Sequence, residues 1–170
     1  EFTDQQLGTI ARVAFNLIDL INLAPPLTMK CHPSGFATLF TDASEELSEN
    51  KFGAILQVDN KTFYFSMDFD VKILIALKKS RKKLIGVLEA LCLCTALNIF
   101  KPLLRDRRVR GFVDNTATIY ATWKGFSKDV ALRVIAQELH SIMAQNAIFL
   151  SVDWIPSLFN PSDILTRKQL

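Results

Sequence analysis

The chain has 170 residues, 49% of them hydrophobic, and a formal net charge of +3. This length favours one domain with a buried core. The sequence contains no run of about 18 to 20 uncharged apolar residues, which argues against a membrane-spanning protein, so we expect no membrane partner. Because the chain lacks a starting methionine and a signal-peptide pattern, we expect it to be a fragment of a longer protein.

The first predicted element is an amphipathic helix over residues 3–23. Its apolar residues recur at helical spacing, at Leu7, Ile10, Val13, Ala14, Leu17, Ile18 and Ile21. The stretch that follows is an irregular connector with Pro25, Pro26 and Pro33. We therefore predict an N-terminal helix and proline-containing connector over residues 1–35, and a folded domain over residues 36–170.

Three short segments rich in β-favouring residues open the folded domain, at residues 36–41, 52–58 and 61–67. Asp59 and Asn60 lie between the second and the third and are typical of a hairpin turn. We predict that these three consecutive strands pair antiparallel.

The second half of the chain alternates helices with strands. Candidate N-caps of two helices are Ser80 and Ser127. A candidate C-cap is Gly125. The predicted elements are helix 80–100, strand 109–113, helix 115–125, helix 127–146, strand 147–155 and a last helix with Pro161 near its first turn. This order predicts an α/β fold with a mixed five-stranded sheet, three antiparallel strands and then two parallel ones, flanked by helices. Right-handed crossovers place strands one, four and five side by side, and sites form where such strands end.

Three acids lie at those strand ends and at the last helix. Asp42 follows the first strand, Asp114 follows the fourth, and Asp163 lies in the first turn of the last helix. Each has an ordinary alternative role, as a turn residue, an N-cap or a partner of the helix dipole. Taken singly, none of the three indicates a site.

Glu89 is different, because it is the only charged residue between Leu84 and Phe100. No Lys or Arg lies three or four positions away to pair with it. A buried, unpaired carboxylate is costly, so we expect Glu89 to be protonated, paired with a distant residue or bound to a metal ion. If the four acids converge, two Mg²⁺ or Mn²⁺ ions would relieve their repulsion and support phosphodiester hydrolysis.

The basic residues are concentrated in two stretches, 78–83 and 101–110. Such clusters suit a polyanion such as nucleic acid, although each one alone is more typical of a solvated surface. Cys31, Cys92 and Cys94 lack zinc-ligand spacing. We expect buried thiols in a reducing compartment, and hence an intracellular protein of the cytoplasm or nucleus.

Residues from about 36 to 167 resemble a ribonuclease H domain of a reverse-transcribing element. The matching pieces are, in chain order, "TDAS", "LIGVLEALCL", "GFVDNTATIYA" and "WIPSLFNPSDILTR". The last is similar to the retroelement pattern Trp-Ile/Val-Pro followed by Asn-x-x-Asp and Leu-Ser/Thr-Arg. Each piece alone is unspecific, whereas four in this order, each on the matching element, are specific.

The resemblance implies an endoribonuclease that cleaves the RNA strand of RNA/DNA hybrids with two Mg²⁺ or Mn²⁺ ions. It implies a catalytic metal site made of Asp42, Glu89, Asp114 and Asp163. Substrate contacts are expected from Ser44, Asn115, Thr116 and the basic residues Lys78, Lys79, Arg81, Lys82 and Lys83. The expected neighbour in the full-length protein is a reverse-transcriptase domain.

The chain also departs from the family pattern. A histidine that often precedes the final acid is absent, and Leu158 and Phe159 stand where it would lie. His140 reads as a helix-surface or satisfied core residue rather than a catalytic one. The position of Glu89 between the first two aspartates argues against a transposase or integrase core. One alternative stays open, an inactive module of the same fold that binds protein or nucleic acid.

Overall fold

The computed structural model describes residues 33–45, 50–69 and 84–167. These residues belong to one compact unit, Pro33–Leu170. The predicted N-terminal helix, most of the connector, Cys31, Ser80 and the basic residues 78–83 lie outside the described residues. The domain boundary at residue 36 stays a prediction.

The described residues form a mixed sheet in the order β3-β2-β1-β4-β5. The strands are β1 (Phe36–Glu45), β2 (Asn50–Val58), β3 (Lys61–Asp68), β4 (Arg108–Val113) and β5 (Phe149–Trp154). β1 pairs antiparallel with β2, and β2 with β3, whereas β4 runs parallel to both β1 and β5. The predicted sheet, three antiparallel strands and then two parallel ones with strands one, four and five adjacent, is confirmed.

The hairpin between β2 and β3 has the predicted turn. Asp59 and Asn60 both adopt positive φ angles, of 51° and 59°, and Val58 pairs with Lys61 across them. A two-residue turn with two positive φ angles matches the twist of the flanking strands, and Asp and Asn tolerate that conformation better than other non-glycine residues.

The helices are α1 (Ile85–Leu104), α2 (Thr116–Lys124), α3 (Val130–Asn146) and α4 (Asp163–Thr166), with a 3₁₀ turn at Ser157–Phe159. Gly125 ends α2 with a φ of 59°, as predicted from its tolerance of the left-handed conformation. Ala147 ends α3 in the same conformation, so β5 begins later than the predicted residue 147. The last helix begins at Asp163, with Ser162 at the N-cap position, so Pro161 lies near its first turn as predicted.

The predicted cap of α3 is wrong. Asp129 is the N-cap, and its Oδ1 accepts hydrogen bonds from the backbone N–H groups of Ala131 and Leu132. Ser127 lies two residues too early and instead accepts a hydrogen bond from the Asp129 N–H through its Oγ. Both residue types cap helices well, so only the position of the first helical turn distinguishes them.

α1 packs on one face of the sheet and builds most of the core with it. Leu93 and Leu97 are fully buried in the same apolar cluster as Leu39 of β1 and Val109 of β4. Among the described residues, one helix, α1, has the length and apolar composition needed to cross a bilayer, although no such run was predicted from the sequence. Its burial against the sheet accounts for that composition, as for core helices generally.

Candidate functional site

Asp42 lies inside β1 and not at its tip, so the predicted strand end at Thr41 is wrong. The parallel pairing of β1 with β4 ends at Phe40 and Phe112, but the antiparallel pairing with β2 continues to Glu45. β2 therefore keeps β1 extended past the point where β4 stops. Asp42 is paired with Gly53 of β2, which excludes the turn role. It still lies just beyond the end of the parallel pairing, where a site was expected.

Glu89 lies in the second turn of α1 and is 5% exposed. Burial raises the pKa of its carboxyl to about 9, helped by the negative charges of Asp114 and Asp42 and opposed by a hydrogen bond from Asn115. Its Oε2 atom is buried without a hydrogen-bond partner among the described residues. Of the three states expected for Glu89, protonated, paired with a distant residue or bound to a metal ion, the raised pKa favours the protonated one when no cation is bound.

Asp114 directly follows β4, and its carboxylate is free of any capping role. Asn115 caps α2 instead, because its Oδ1 accepts from the N–H groups of Ala117 and Thr118, at 2.9 and 3.4 Å. The capping alternative for Asp114 is therefore wrong. Its Oδ1 atom is buried and has no hydrogen-bond partner in the described part of the chain.

Asp163 is the first residue of α4, and its carboxylate is held by two neighbours. Arg167 Nε donates to Asp163 Oδ2 at 2.6 Å, and Ser157 Oγ donates to Asp163 Oδ1 at 3.4 Å. An Arg four residues after an Asp on one helical turn is a favourable pairing. The predicted dipole role and the predicted site role are compatible at this position.

A buried polar clamp, made of Asn160, Ser162 and Thr166, fixes α4 against β1. Asn160 is 3% exposed and donates from Nδ2 to the carbonyl oxygen of Thr41 at 2.9 Å. Its Oδ1 accepts from the N–H and the Oγ of Ser162, at 3.3 and 2.6 Å. Thr166 Oγ1 donates to Asp42 Oδ2. These contacts hold α4, which carries Asp163, beside Asp42 of β1.

Gly53 makes this close approach possible. A Cβ at Gly53 would lie 2.9 Å from Leu165 Cβ and 2.9 Å from Thr166 Cγ2. Such separations are shorter than packed carbon atoms allow, so only glycine lets α4 lie on β2 beside Asp42. Cys92 supports the same region from α1, where its buried thiol donates to the Asp42 carbonyl oxygen at 3.1 Å.

The four predicted acids are electrostatic neighbours, and we call them the acid cluster: Asp42, Glu89, Asp114 and Asp163. Burial raises the pKa of Asp42, a hydrogen bond from Thr166 lowers it, and the charges of Asp114 and Asp163 raise it further. Glu89 is coupled to Asp42 and Asp114 in the same way. The fold therefore brings together acids from β1, α1, the end of β4 and α4.

The chemistry of the acid cluster suits a divalent cation, which prefers oxygen ligands. The unpartnered oxygens of Glu89 and Asp114 would both be satisfied by such an ion. In the described ranges, however, no group of three or more His, Cys, Asp or Glu side chains is spaced to hold a metal ion. Thr166 donates to Asp42 Oδ2 and Arg167 donates to Asp163 Oδ2, so each contact engages one oxygen of the carboxylate.

The contacts of the other predicted site residues say less about a metal site than those of the acid cluster do. Ser44 Oγ donates to the carbonyl oxygen of Thr166 at 3.1 Å, so this hydroxyl joins β1 to α4. Thr116 is exposed at the start of α2. His140 is satisfied, as predicted, because its Nε2 donates to the Thr122 carbonyl oxygen at 2.8 Å. Leu158 and Phe159, which replace the family histidine, are 86% and 69% exposed.

Glu89→Gln should flatten the pH dependence of the free energy of unfolding of the metal-free protein. Folded Glu89 keeps its proton up to a pKa of about 9, whereas the unfolded glutamate loses it near 4.5. The folded state thus holds more protons between these values, and stability falls as the pH rises through this window, by up to about 1.4 kcal/mol per pH unit. The contribution of the Glu89 proton to the free energy of unfolding is fully present below the unfolded pKa of about 4.5 and is lost as the pH rises through the folded pKa of about 9.

Urea titrations in EDTA at pH 5, 7 and 8.5 measure this effect. The glutamine variant keeps part of the slope, because the raised pKa of Asp42 acts in the same direction. Identical slopes for wild type and Glu89→Gln would contradict a buried, protonated Glu89.

No protein-family profile and no curated protein matches the sequence. Solved structures match it in three dimensions. The N-terminal RNase H domain of a Mycobacterium tuberculosis protein, solved as a fusion with maltose-binding protein, superposes with a TM-score of 0.59 at 13% identity, over 76% of this chain and 95% of that chain. RNase H1 from the halophilic archaeon Halobacterium salinarum superposes with a TM-score of 0.58 at 16% identity, over 77% of this chain and 94% of that chain.

A third match is LC11-RNase H1, isolated from compost by a metagenomic approach and solved in complex with an RNA/DNA hybrid. Its TM-score is 0.60 at 16% identity, over 76% of this chain and 92% of that chain. These likenesses establish that the chain has the ribonuclease H-like fold, as the sequence predicted.

Proposed function

We propose that this protein is an endoribonuclease that cleaves the RNA strand of RNA/DNA hybrids by two-metal-ion hydrolysis. One observation carries the proposal, the convergence of the acid cluster in a ribonuclease H-like fold. Asp42 is coupled to Asp114 and Asp163, and Glu89 is coupled to Asp42 and Asp114. Carboxylates are not brought together in this way without a compensating gain. A phosphodiester and divalent cations provide that gain.

The acid cluster would hold the ions, which when bound activate water and stabilise the leaving oxygen of a phosphodiester. Side chains of the protein would carry out the other steps. Glu89 holds a proton at its carboxyl in the metal-free protein and gives it up to bind a cation. Asn115 orients Glu89 through a side-chain hydrogen bond, and the buried polar clamp sets the position of Asp163.

Purified protein should cut a labelled RNA/DNA hybrid when Mg²⁺ or Mn²⁺ is supplied, and leave fragments with 5′-phosphate and 3′-hydroxyl ends. Duplex DNA of the same sequence is the control and should stay intact, because the 2′-hydroxyl groups identify the RNA strand. Gel analysis of end-labelled products distinguishes the outcomes. Folded protein that binds the hybrid but cuts it with neither metal would contradict the proposal.

The second candidate is a catalytically inactive module that binds protein or nucleic acid. It is favoured by the contacts that engage two of the acids, Thr166 on Asp42 and Arg167 on Asp163. It is also favoured by the absence, among the described residues, of acids spaced to hold an ion. Binding of the hybrid without cleavage in the experiment above would establish this alternative.

We further propose that the chain comes from a reverse-transcribing element, beside a reverse-transcriptase domain, and acts in the cytoplasm or nucleus. The stretch "WIPSLFNPSDILTR" supports this origin, since it resembles the retroelement pattern. The proposed sources of substrate affinity are the basic stretches 78–83 and 101–110, or a neighbouring domain. Contacts with phosphates would make that affinity dependent on salt and largely independent of sequence.

A further inference from the structure

Residues 33–45, 50–69 and 84–167, which the structure describes, cover only part of the sheet face that points away from α1. α4 lies on one end of it, where Ser66 Oγ donates to the Leu165 carbonyl oxygen at 2.7 Å. Further along the sheet, large side chains are exposed, among them Phe36 at 73%, Tyr64 at 70% and Phe149 at 39%. Exposed aromatic side chains grouped on one surface mark an interaction site more often than scattered ones do.

The strand register arranges this surface in rows across β1, β4 and β5. The first row is Phe36, Arg108 and Phe149, and the second is Thr38, Arg110 and Ser151. We call these six residues the open platform. Paired residues on neighbouring strands point to the same side of a sheet, so an arginine stands between two aromatic rings in the first row.

The arginines and rings of the open platform are in contact. Arg108 Cζ lies 5.9 Å from the centre of the Phe36 ring, and Arg110 Cζ lies 5.1 Å from that of Phe112. Phe112 itself stacks on Phe40 with ring centres 5.1 Å apart. Arg110 is also paired with Asp153 at 2.6 Å, so Arg108 is the more available cation.

The open platform borders a shallow cavity of about 600 Å³, lined by all six of its residues. This volume lies within the range of about 300–1,000 Å³ that small-molecule sites occupy. An apolar protein segment laid here would bury the Arg108 charge without a counter-ion, which is costly. A ligand with flat rings and regularly spaced negative charges suits both the phenylalanines and the arginines.

We propose that the open platform binds single-stranded nucleic acid, a function beyond hybrid cleavage. Bases stack on Phe36 and Phe149, and phosphates pair with Arg108 and Arg110. Proteins that hold single strands without sequence preference combine exposed aromatic rings with cations in this way, and sheet faces carry such rings in known RNA-binding modules. The platform would keep a single strand on the domain while the acid cluster acts on a duplex.

Fluorescence anisotropy with fluorescein-labelled 12-nucleotide oligo-uridylate and oligo-thymidylate tests the proposal in EDTA, where the acid cluster has no metal. Full-length wild type should bind both. Phe36→Ala and Phe149→Ala should each weaken binding roughly tenfold, as loss of one stacked base implies. Arg108→Gln should weaken it and reduce the slope of log affinity against log salt by about 0.7, as expected for one lost phosphate contact on a single strand.

Tyr120→Ala is the matched control, because Tyr120 is an exposed ring on α2 with Lys124 Nζ 5.7 Å from its centre. It should bind as wild type does, and thermal melts should show all variants folded. The proposal is overturned if neither oligonucleotide binds, if the two phenylalanine variants keep wild-type affinity, or if Tyr120→Ala loses as much as they do. If wild type binds no oligonucleotide but forms dimers, and Phe36→Ala disrupts those dimers, the open platform is instead a contact surface between two copies of the chain.

The result is independent of the proposed nuclease activity. Binding in EDTA needs no catalysis, and hybrid cleavage needs no intact platform. Binding in EDTA that Phe149→Ala weakens supports the open platform whether or not wild type cleaves hybrids, and cleavage by wild type without oligonucleotide binding in EDTA overturns the platform alone.

Discussion

Asp42→Asn and Asp114→Asn should each abolish hybrid cleavage while leaving the metal-free protein as stable as wild type or more stable. Each change keeps the shape of the side chain and removes one negative charge from the acid cluster, where the charge of Asp114 raises the pKa of both Asp42 and Glu89, and the charge of Asp42 raises the pKa of Glu89. Functional sites commonly gain stability when such a charge is lost. A purely capping or turn aspartate would instead cost about 0.5–2 kcal/mol when lost, and less as asparagine.

Mg²⁺ gives the second half of this experiment. An ion that binds only the folded state raises the melting temperature of wild type, and it should raise that of either variant much less. Asp59→Asn is the control, since Asp59 is an exposed aspartate paired with Arg107 in the β2–β3 turn, where asparagine is well tolerated. It should cleave and respond to Mg²⁺ as wild type does. If both cluster variants melt lower and respond to Mg²⁺ like wild type, the shared metal site is wrong.

Asn160→Ala should lower both stability and cleavage. It removes three hydrogen bonds and leaves the Thr41 carbonyl and the Ser162 hydroxyl buried without partners. Each buried polar group left unpaired costs about 1–3 kcal/mol. The buried polar clamp also sets the position of Asp163, so the turnover rate should fall at temperatures where the variant is still fully folded, with little change in affinity for the hybrid.

Two further variants calibrate this result. Ser162→Ala removes only part of the clamp and should give a smaller loss of both stability and turnover. Asn98→Ala removes an exposed asparagine of α1 that accepts from Lys101 Nζ, and it should change neither quantity. Denaturant titrations and single-turnover kinetics measure the two effects. An Asn160→Ala protein that is destabilised yet turns over at the wild-type rate would show that the clamp supports the fold alone.

The order of elements and the mixed sheet were predictable because they depend on local patterns. Apolar periodicity located α1, and the Asp59-Asn60 turn located the hairpin. Glu89 was identifiable for the same reason, since its lack of a basic neighbour on the helix can be read directly from the chain. The end of β1 was harder to predict, because it depends on how far β2 continues to pair with β1.

Choices between adjacent capping residues were not predictable. Asp129 rather than Ser127, and Asn115 rather than Asp114, cap their helices, although all four are suitable residue types. The buried polar clamp was not predicted, since Asn160 was noted only as the first residue of the Asn-x-x-Asp pattern and Ser162 was given no role. Their significance depends on Thr41, which is 119 positions away from Asn160.

The attachment of α4 also determines when the acid cluster can assemble during synthesis. The bonds that fix this short helix to β1 join residues 119 to 124 positions apart. All five strands leave the ribosome before Asp163 does, so the sheet can fold while one acid is still missing. Under the proposed function, a nascent chain therefore lacks one carboxylate of the acid cluster until α4 docks on β1.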